Sequence, residues 1–372
     1  MTVNRLVALD MPASVEFADH VRKAWDSGDA VFPIDQRLPQ AAKDSLVEQF
    51  KPSVLIDRTG SVVNLLGSEP TEEGDALVIA TSGSTGAPKG VVHTHDSIRA
   101  LLNMSQARLR TDSSTHWLLC LPVSHVAGFS VLARSLVFGN PISILPKFDE
   151  SEVLAAAKSG ATHISLVPTT LNRIDPAIFE SILLGGAAAP PNLPANVTTT
   201  YGMTETFGGI VYNGIPLDGI HVRVADEHIE LQSPSLFRTY RGSKAQLSAE
   251  GWYETGDNGS FTNNVLQVFG RSDDMIITGG ENVWPIAVER VVSTIPGVER
   301  VVVRGIDDAQ WGQRVVAWIV SSNAVAPSLE KVRQHVKQQL PSFCAPTEIR
   351  IVNDIPTTSL GKVDFQALKI LR

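Results

Sequence analysis

An apolar run, Ala76-Leu77-Val78-Ile79-Ala80, empties directly into Thr81-Ser82-Gly83-Ser84-Thr85-Gly86-Ala87-Pro88-Lys89-Gly90. An apolar run of this kind reads as a strand. The segment after it carries hydroxyls, glycines and one lysine. Glycine lets the backbone approach an anion without a clashing Cβ, and neighbouring N–H groups with an ammonium suit a polyphosphate. This is not the Gly-x-x-x-x-Gly-Lys-Ser/Thr loop, because Pro88 precedes the lysine and Gly90 follows it. A Ser/Gly linker is the competing reading, and the strand ahead and the lysine speak against it.

Beyond that loop, strand and helix patterns alternate. Helical spacing is expected over His95–Arg110, Ala127–Phe138 and Glu152–Ser159. Strands are expected over Trp117–Val123, Ile142–Leu145, His163–Val167 and Ser181–Leu184. Such alternation implies an α/β fold with mainly parallel sheets. From about residue 210 short strands separated by turns suggest a small β-layer. After Arg271 the pattern becomes α+β: a helix from Pro285, strands at Val298–Arg304 and Val315–Val320, and helices at Leu329–Leu340 and Phe365–Leu371. A chain of 372 residues exceeds one ordinary core. The expectation is therefore a large ATP- and acid-binding domain over 1–271, shortened at its amino-terminal end, and a small mobile carboxy-terminal domain over 272–372. Residues 1–75 are weakly patterned, with a helix near Ala18–Ser27 and a strand at Ser53–Asp57.

Hydrophobic residues make up 43% and charged residues 19%, so the chain is globular. Its net charge of −8 disfavours nucleic acid and anionic membranes as partners. Two cysteines, Cys120 and Cys344, both in apolar surroundings, suggest buried thiols in a reducing compartment. No apolar run reaches membrane-spanning length, and Asp10, Glu16 and Asp19 break up the first residues where a leader would need an apolar core. The expected setting is cytoplasmic.

Four further segments stand out. Tyr201-Gly202-Met203-Thr204-Glu205 sets a hydroxyl beside a carboxylate at the end of a strand, suited to a phosphate and a Mg²⁺ ion. Trp252-Tyr253-Glu254-Thr255-Gly256-Asp257 ends in a carboxylate able to take two ribose hydroxyls. Gly270-Arg271-Ser272-Asp273-Asp274 leads to the pair Gly279-Gly280, and Gly361-Lys362 lies near the carboxy terminus. Each alone admits a plain alternative: a capping pair, a turn aspartate, a charged surface turn, a solvated lysine.

Together and in this order, the five segments resemble the adenylate-forming superfamily of acyl- and aryl-CoA ligases. The resemblance runs from about residue 76 to the end. It implies attack of a carboxylate on the α-phosphorus of MgATP, then displacement of AMP by coenzyme A. By that likeness residues 81–86 and Lys89 hold the outer phosphates, Thr204 the α-phosphate and Glu205 the metal. The Gly185-Gly186-Ala187 backbone borders the adenine, Tyr201 belongs to the nucleotide site, and Asp257 with Arg271 fixes the ribose. Lys362 bridges carboxylate and α-phosphate, Asp273 is the pivot between domains, and Gly279 and Gly280 shape the pantetheine path. The segment around His125-Val126-Ala127-Gly128 matches the acyl pocket, with Arg134 on the helix that follows. Within the superfamily, this pattern and Thr206, Gly208 and Gly209 are most similar to the o-succinylbenzoate–CoA ligase branch of menaquinone biosynthesis, in its short actinobacterial form. There Arg134 would grip the free carboxylate of a dicarboxylic acid. A ligase for a monocarboxylate, an enzyme loading a carrier protein and a silent nucleotide-binding regulator stay open as alternatives. A homodimer is compatible with any of them.

Overall fold

The structure, a computed structural model, describes residues 4–82, 88–187, 189–190, 192–242, 247–322, 326–357 and 363–371. It divides into two compact units. The first comprises Met1–Ala189, Leu193–Val222 and Leu231–Tyr253; the second comprises Pro190–Asn192, Arg223–Glu230 and Glu254–Arg372.

Two seven-stranded sheets build the first unit. One has a parallel centre made of Asp75–Ser82, Ala30–Pro33, Leu6–Asp10 and Val54–Asp57. Antiparallel strands flank it, with Pro88–Thr94 and then Thr239–Tyr240 on one side. The strand expected at Ala76–Ala80 is thus the longer strand Asp75–Ser82. The other sheet runs parallel through Ile142–Ile144, Trp117–Leu119, His163–Leu166, Ser181–Leu184 and Val197–Met203, and turns antiparallel at Gly208–Tyr212. Aliphatic strand residues such as Ile164, Ile182 and Leu184 are almost fully buried, as a sheet covered on both faces requires. The α/β class expected from the sequence is the observed one.

The helices begin where local chemistry starts them. His95–Leu109 opens on a capping box between Thr94 and Ser97. Val15–Asp26 starts at Ser14, whose hydroxyl accepts from the Phe17 N–H, and buries Phe17, Val21 and Ala24 at helical spacing. Val126–Phe138 follows His125 directly and ends at Gly139, in the left-handed region at φ 74°.

The second unit holds a four-stranded sheet, which includes the hairpin Tyr253–Thr262/Val265–Arg271, and a five-stranded α+β sheet. In the latter, Val298–Asp308 and Gly312–Ser321 pair antiparallel under helices Pro285–Ser293 and Leu329–Lys337. The sequence reading places the domain boundary between 271 and 272, whereas compactness alone starts this unit at Glu254. Phe269 lies 6.3 Å from Trp284 across that position, one contact that joins the two sides.

Candidate active site

The described ends of the segment read as a phosphate loop are paired strands. Thr81 and Lys89 face each other across the paired strands Asp75–Ser82 and Pro88–Thr94, with the Thr81 hydroxyl 3.4 Å from the Lys89 carbonyl oxygen. Lys89 therefore projects from a strand and not from a loop, a correction to the sequence reading. Pairing of Pro88–Thr94 with Asp75–Ser82 dictates it, and Pro88 is compatible with a strand end. Gly83, Ser84, Thr85 and Gly86 lie outside the described residues, as does Lys362, and for Ser82 only the backbone is described.

Lys89 is exposed, with its ammonium 5.1 Å from the centre of the Tyr240 ring. The Tyr240 hydroxyl donates to Glu205 Oε1 at 3.0 Å. Thr204 and Glu205 lie on the single 3₁₀ turn Thr204–Thr206, which follows the strand carrying Tyr201. That turn is tied down through its backbone. The Phe237 N–H donates to the Glu205 carbonyl at 2.8 Å. His93 Nε2 donates to the Thr204 carbonyl at 2.7 Å, which fixes the proton on Nε2 and leaves Nδ1 to accept from Ser97 Oγ at 3.2 Å. His93 is fully buried, and burial pushes its pKa down to about 4 against the opposing effect of the Thr204 bond. It stands as a neutral donor on the same strand as Lys89.

Gly185 and Gly209 lie on either side of Thr200. A Cβ on Gly209 would come within 2.7 Å of the Thr200 Cβ, and one on Gly185 within 2.5 Å of its hydroxyl. Both glycines therefore allow close passage of the strands here. Gly186 follows at φ +81° and Gly208 at φ +129°. Thr206 is fully buried, and its hydroxyl lies 2.7 Å from the Gly208 carbonyl and 3.0 Å from that of Met203. The sequence reading gave Thr206 and Gly209 to the acid pocket. The Thr206 contacts close the turn behind Glu205, and Gly209 lies against Thr200.

Arg134 is 3% exposed. Its guanidinium carbon stands 4.4 Å from the centre of the Trp117 ring, and one terminal nitrogen donates to Ser105 Oγ at 2.8 Å. Ser105 Oγ is also 2.8 Å from the Tyr212 hydroxyl. The Arg134 Nε is buried without a hydrogen-bond partner. Burial lowers the Arg134 pKa, and Tyr212 opposes the shift. Arg134 therefore points inward and is not a solvated surface arginine. Ser105 and Trp117 went unnoticed in the sequence, because a serine in a helix and a tryptophan in a buried strand carry no signal of their own.

His125 borders the same helix. Its Nε2 lies 2.7 Å from an Arg37 nitrogen and 3.4 Å from Asp35 Oδ2, and Arg37 forks onto Asp35 at 2.9 and 2.6 Å. Burial raises the Asp35 pKa, but the bonds from His125 and Arg37 and the Arg37 charge outweigh it, so the carboxylate stays well below its ordinary value. The weakly patterned amino-terminal segment thus reaches the His125 position.

In the second unit Asp257 is buried and lies opposite Arg271 in the ladder, with Arg271 donating to Asp257 Oδ1 at 3.3 Å and to the Thr255 carbonyl at 3.1 Å. A turn aspartate is excluded, since Asp257 sits inside the strand Tyr253–Thr262. Asp273 is exposed in the 3₁₀ turn Ser272–Asp274. Gly279 and Gly280 form the hairpin turn at φ 61° and 86°, and a Cβ on Gly279 would press within 2.9 Å of the Trp311 ring. Among the described residues no group of three or more His, Cys, Asp or Glu gathers, and no helix is long and apolar enough to cross a membrane. A single carboxylate fits Mg²⁺, which keeps waters and phosphate oxygens as most of its ligands.

A two-unit α/β chain with a strand-borne lysine, a tethered Thr-Glu turn and a buried aspartate paired to arginine has the makings of an acyl-adenylate-forming enzyme. The AMP-binding enzyme family matches residues 65–231, and the AMP-binding enzyme C-terminal domain matches 287–362. A probable 2-succinylbenzoate–CoA ligase of Mycobacterium tuberculosis H37Rv is 39% identical over 337 residues, 82% of this chain and 88% of that protein. The 2-succinylbenzoate–CoA ligase of Enterococcus faecalis is 30% identical over 78% of this chain and 68% of its own length. Among solved structures, o-succinylbenzoate CoA synthetase (MenE) from Bacillus subtilis with the acyl-adenylate OSB-AMP aligns at TM-score 0.85 and 25% identity, covering 100% of this chain and 89% of that one. ATP-bound MatB from Rhodopseudomonas palustris aligns at 0.87 over 99% and 88% of the two chains, and at 22% identity it attests the fold alone. The chain belongs to the 2-succinylbenzoate–CoA ligase family of AMP-forming acid–thiol ligases.

Proposed function

We propose that the chain joins 2-succinylbenzoate to coenzyme A through an acyl-adenylate, in the cytoplasm and as a step of menaquinone biosynthesis. The carrying observation is Arg134, a buried guanidinium that forms no ion pair among the described residues. An unpaired buried charge is costly, and a substrate with a second carboxylate would supply its partner. Family membership supports the acid, and two buried, unpaired cysteines fit the compartment.

In the first half-reaction one substrate carboxylate oxygen attacks the α-phosphorus of ATP, the α–β bridging bond breaks, and pyrophosphate leaves. Repulsion between anions opposes the approach, so the work of the protein is charge placement. Lys89 and the backbone of 81–86 hold the outer phosphates. Thr204 contacts the α-phosphate, and Tyr201 with Gly185-Gly186-Ala187 borders the adenine. Asp257 and Arg271 hold the ribose, and Lys362 bridges the carboxylate and the α-phosphate. Glu205 is the carboxylate that would hold Mg²⁺, which supplies charge neutralisation on the phosphates. Arg134 grips the free carboxylate, and His125, Gly208 and Gly209 form the wall of the acid pocket, with Thr206 buried behind it in the turn that carries Glu205. In the second half-reaction the CoA thiolate attacks the acyl carbon and AMP leaves. Between the two, residues 272–372 turn about Asp273 and exchange Lys362 for the Gly279-Gly280 turn.

Pyrophosphate release by the purified protein over a panel of acids, with and without CoA, tests this reading. Release that depends on 2-succinylbenzoate, with thioester formed only when CoA is added, is expected. Preference for a benzoate lacking the second carboxylate, or acylation of a carrier protein and not of CoA, would overturn it.

A further inference from the structure

Tyr240 is where Lys89 and Glu205 meet. Its ring faces the lysine ammonium, 5.1 Å to the centroid, and its hydroxyl donates to Glu205 Oε1 at 3.0 Å. The tyrosine is itself held firmly. Its strand pairs with the strand of Lys89, Tyr240 opposite Val91. Its ring lies 4.6 Å from that of Phe237, and the Tyr253 hydroxyl is 3.2 Å from its own. Because the single Tyr240 proton goes to Glu205, Tyr253 is the donor in that second bond. Among the described residues neither Lys89 nor Glu205 enters an ion pair.

We infer that Tyr240 is a positioning residue for metal–nucleotide binding: its hydroxyl fixes the Glu205 carboxylate, and its ring face gives Lys89 a neutral resting place. The two opposite charges are then held ready for MgATP and do not neutralise each other. This rests on the reading of Lys89 and Glu205 given above. It adds a residue to that site that neither the motifs nor their spacing pointed to. One consequence separates it from a merely structural role. The hydroxyl acts on the metal requirement, whereas the acid and CoA bind elsewhere.

The test is the Mg²⁺ concentration giving half-maximal pyrophosphate release at saturating ATP and acid, in wild type, Tyr240→Phe, Glu205→Gln and the double variant. Tyr240→Phe keeps the ring and loses only the hydroxyl. It should raise the half-maximal Mg²⁺ by about tenfold, the weight of one hydrogen bond to a charged acceptor. The KM for the acid should stay unchanged, and the change should add nothing on top of Glu205→Gln. A Tyr240→Phe enzyme with the wild-type Mg²⁺ requirement, or one whose acid KM rises as much as its Mg²⁺ requirement, overturns the inference while the site reading stands. Wild-type release that is indifferent to Mg²⁺ removes the Glu205 assignment and the inference with it. Should Tyr240→Phe fold poorly, Tyr253→Phe, which loses the bond steadying Tyr240, should raise the requirement in the same direction. No change there would also count against the inference.

Discussion

The guanidinium carbon of Arg134 lies over the Trp117 ring, 4.4 Å from its centre, and the group forms no ion pair among the described residues. In the free protein the contact with Trp117, one bond to Ser105 and the nearby Tyr212 hydroxyl offset part of the cost of burying that charge. Such a residue costs stability, and on the proposed reading it is kept for the substrate.

Arg134→Met should therefore stabilise the ligand-free protein, by about 1 kcal/mol or more, since a thioether of similar length fills the space without a charge to desolvate. Urea unfolding monitored by tryptophan fluorescence measures it. A comparable loss of stability would make Arg134 a structural residue.

His93 gives a pH signature. Its folded pKa, about 4, lies below its ordinary 6.5. Between these values the unfolded chain binds a proton that the folded one refuses, so stability falls as pH drops through that window and is fully present above it. His95 and His163 shift in the same direction, so the comparison must be with a variant. Wild type should lose on the order of 2 kcal/mol more than His93→Gln between pH 7 and 4.5, read from denaturant midpoints at the two pH values. Equal losses in both proteins would show that His93 takes up its proton without strain.

Lys362 should separate the half-reactions. Lys362→Ala is expected to slow pyrophosphate release by about 10²–10³, while conversion of supplied acyl-adenylate and CoA to thioester continues near the wild-type rate. Quenched-flow assays of each half give the answer. Equal slowing of both would remove the two-conformation mechanism.

Much of this was legible in the sequence where apolar runs are long. Parallel strands such as His163–Leu166 and Ser181–Leu184 and helix Val126–Phe138 stand within a residue or a few of their expected limits. The amino-terminal strands were hidden. Leu6–Asp10 and Ala30–Pro33 are short, and helix Gln40–Phe50 turns a lysine inward, Lys43, paired to Asp10 at 2.6 Å. A buried lysine breaks the apolar stripe by which such a helix is recognised. Strand Tyr253–Thr262 was missed for a similar reason, since its buried positions include Thr255, Asp257 and Asn258. At the site, motifs named the groups that would touch ligands. His93, Tyr240 and Asp35 act through contacts between segments distant in the chain, such as His93 with Thr204, and spacing carries no trace of them.

The most direct test compares kcat/KM for 2-succinylbenzoate with that for 4-oxo-4-phenylbutanoate, the same acid without its ring carboxylate, in wild type and Arg134→Met. Losing a buried charge pair is worth several kcal/mol. Wild type should thus favour the dicarboxylate by about a hundredfold or more, and the variant should show a ratio near one. A ratio that is the same in both proteins would contradict the assignment of Arg134 and, with it, the dicarboxylate as substrate.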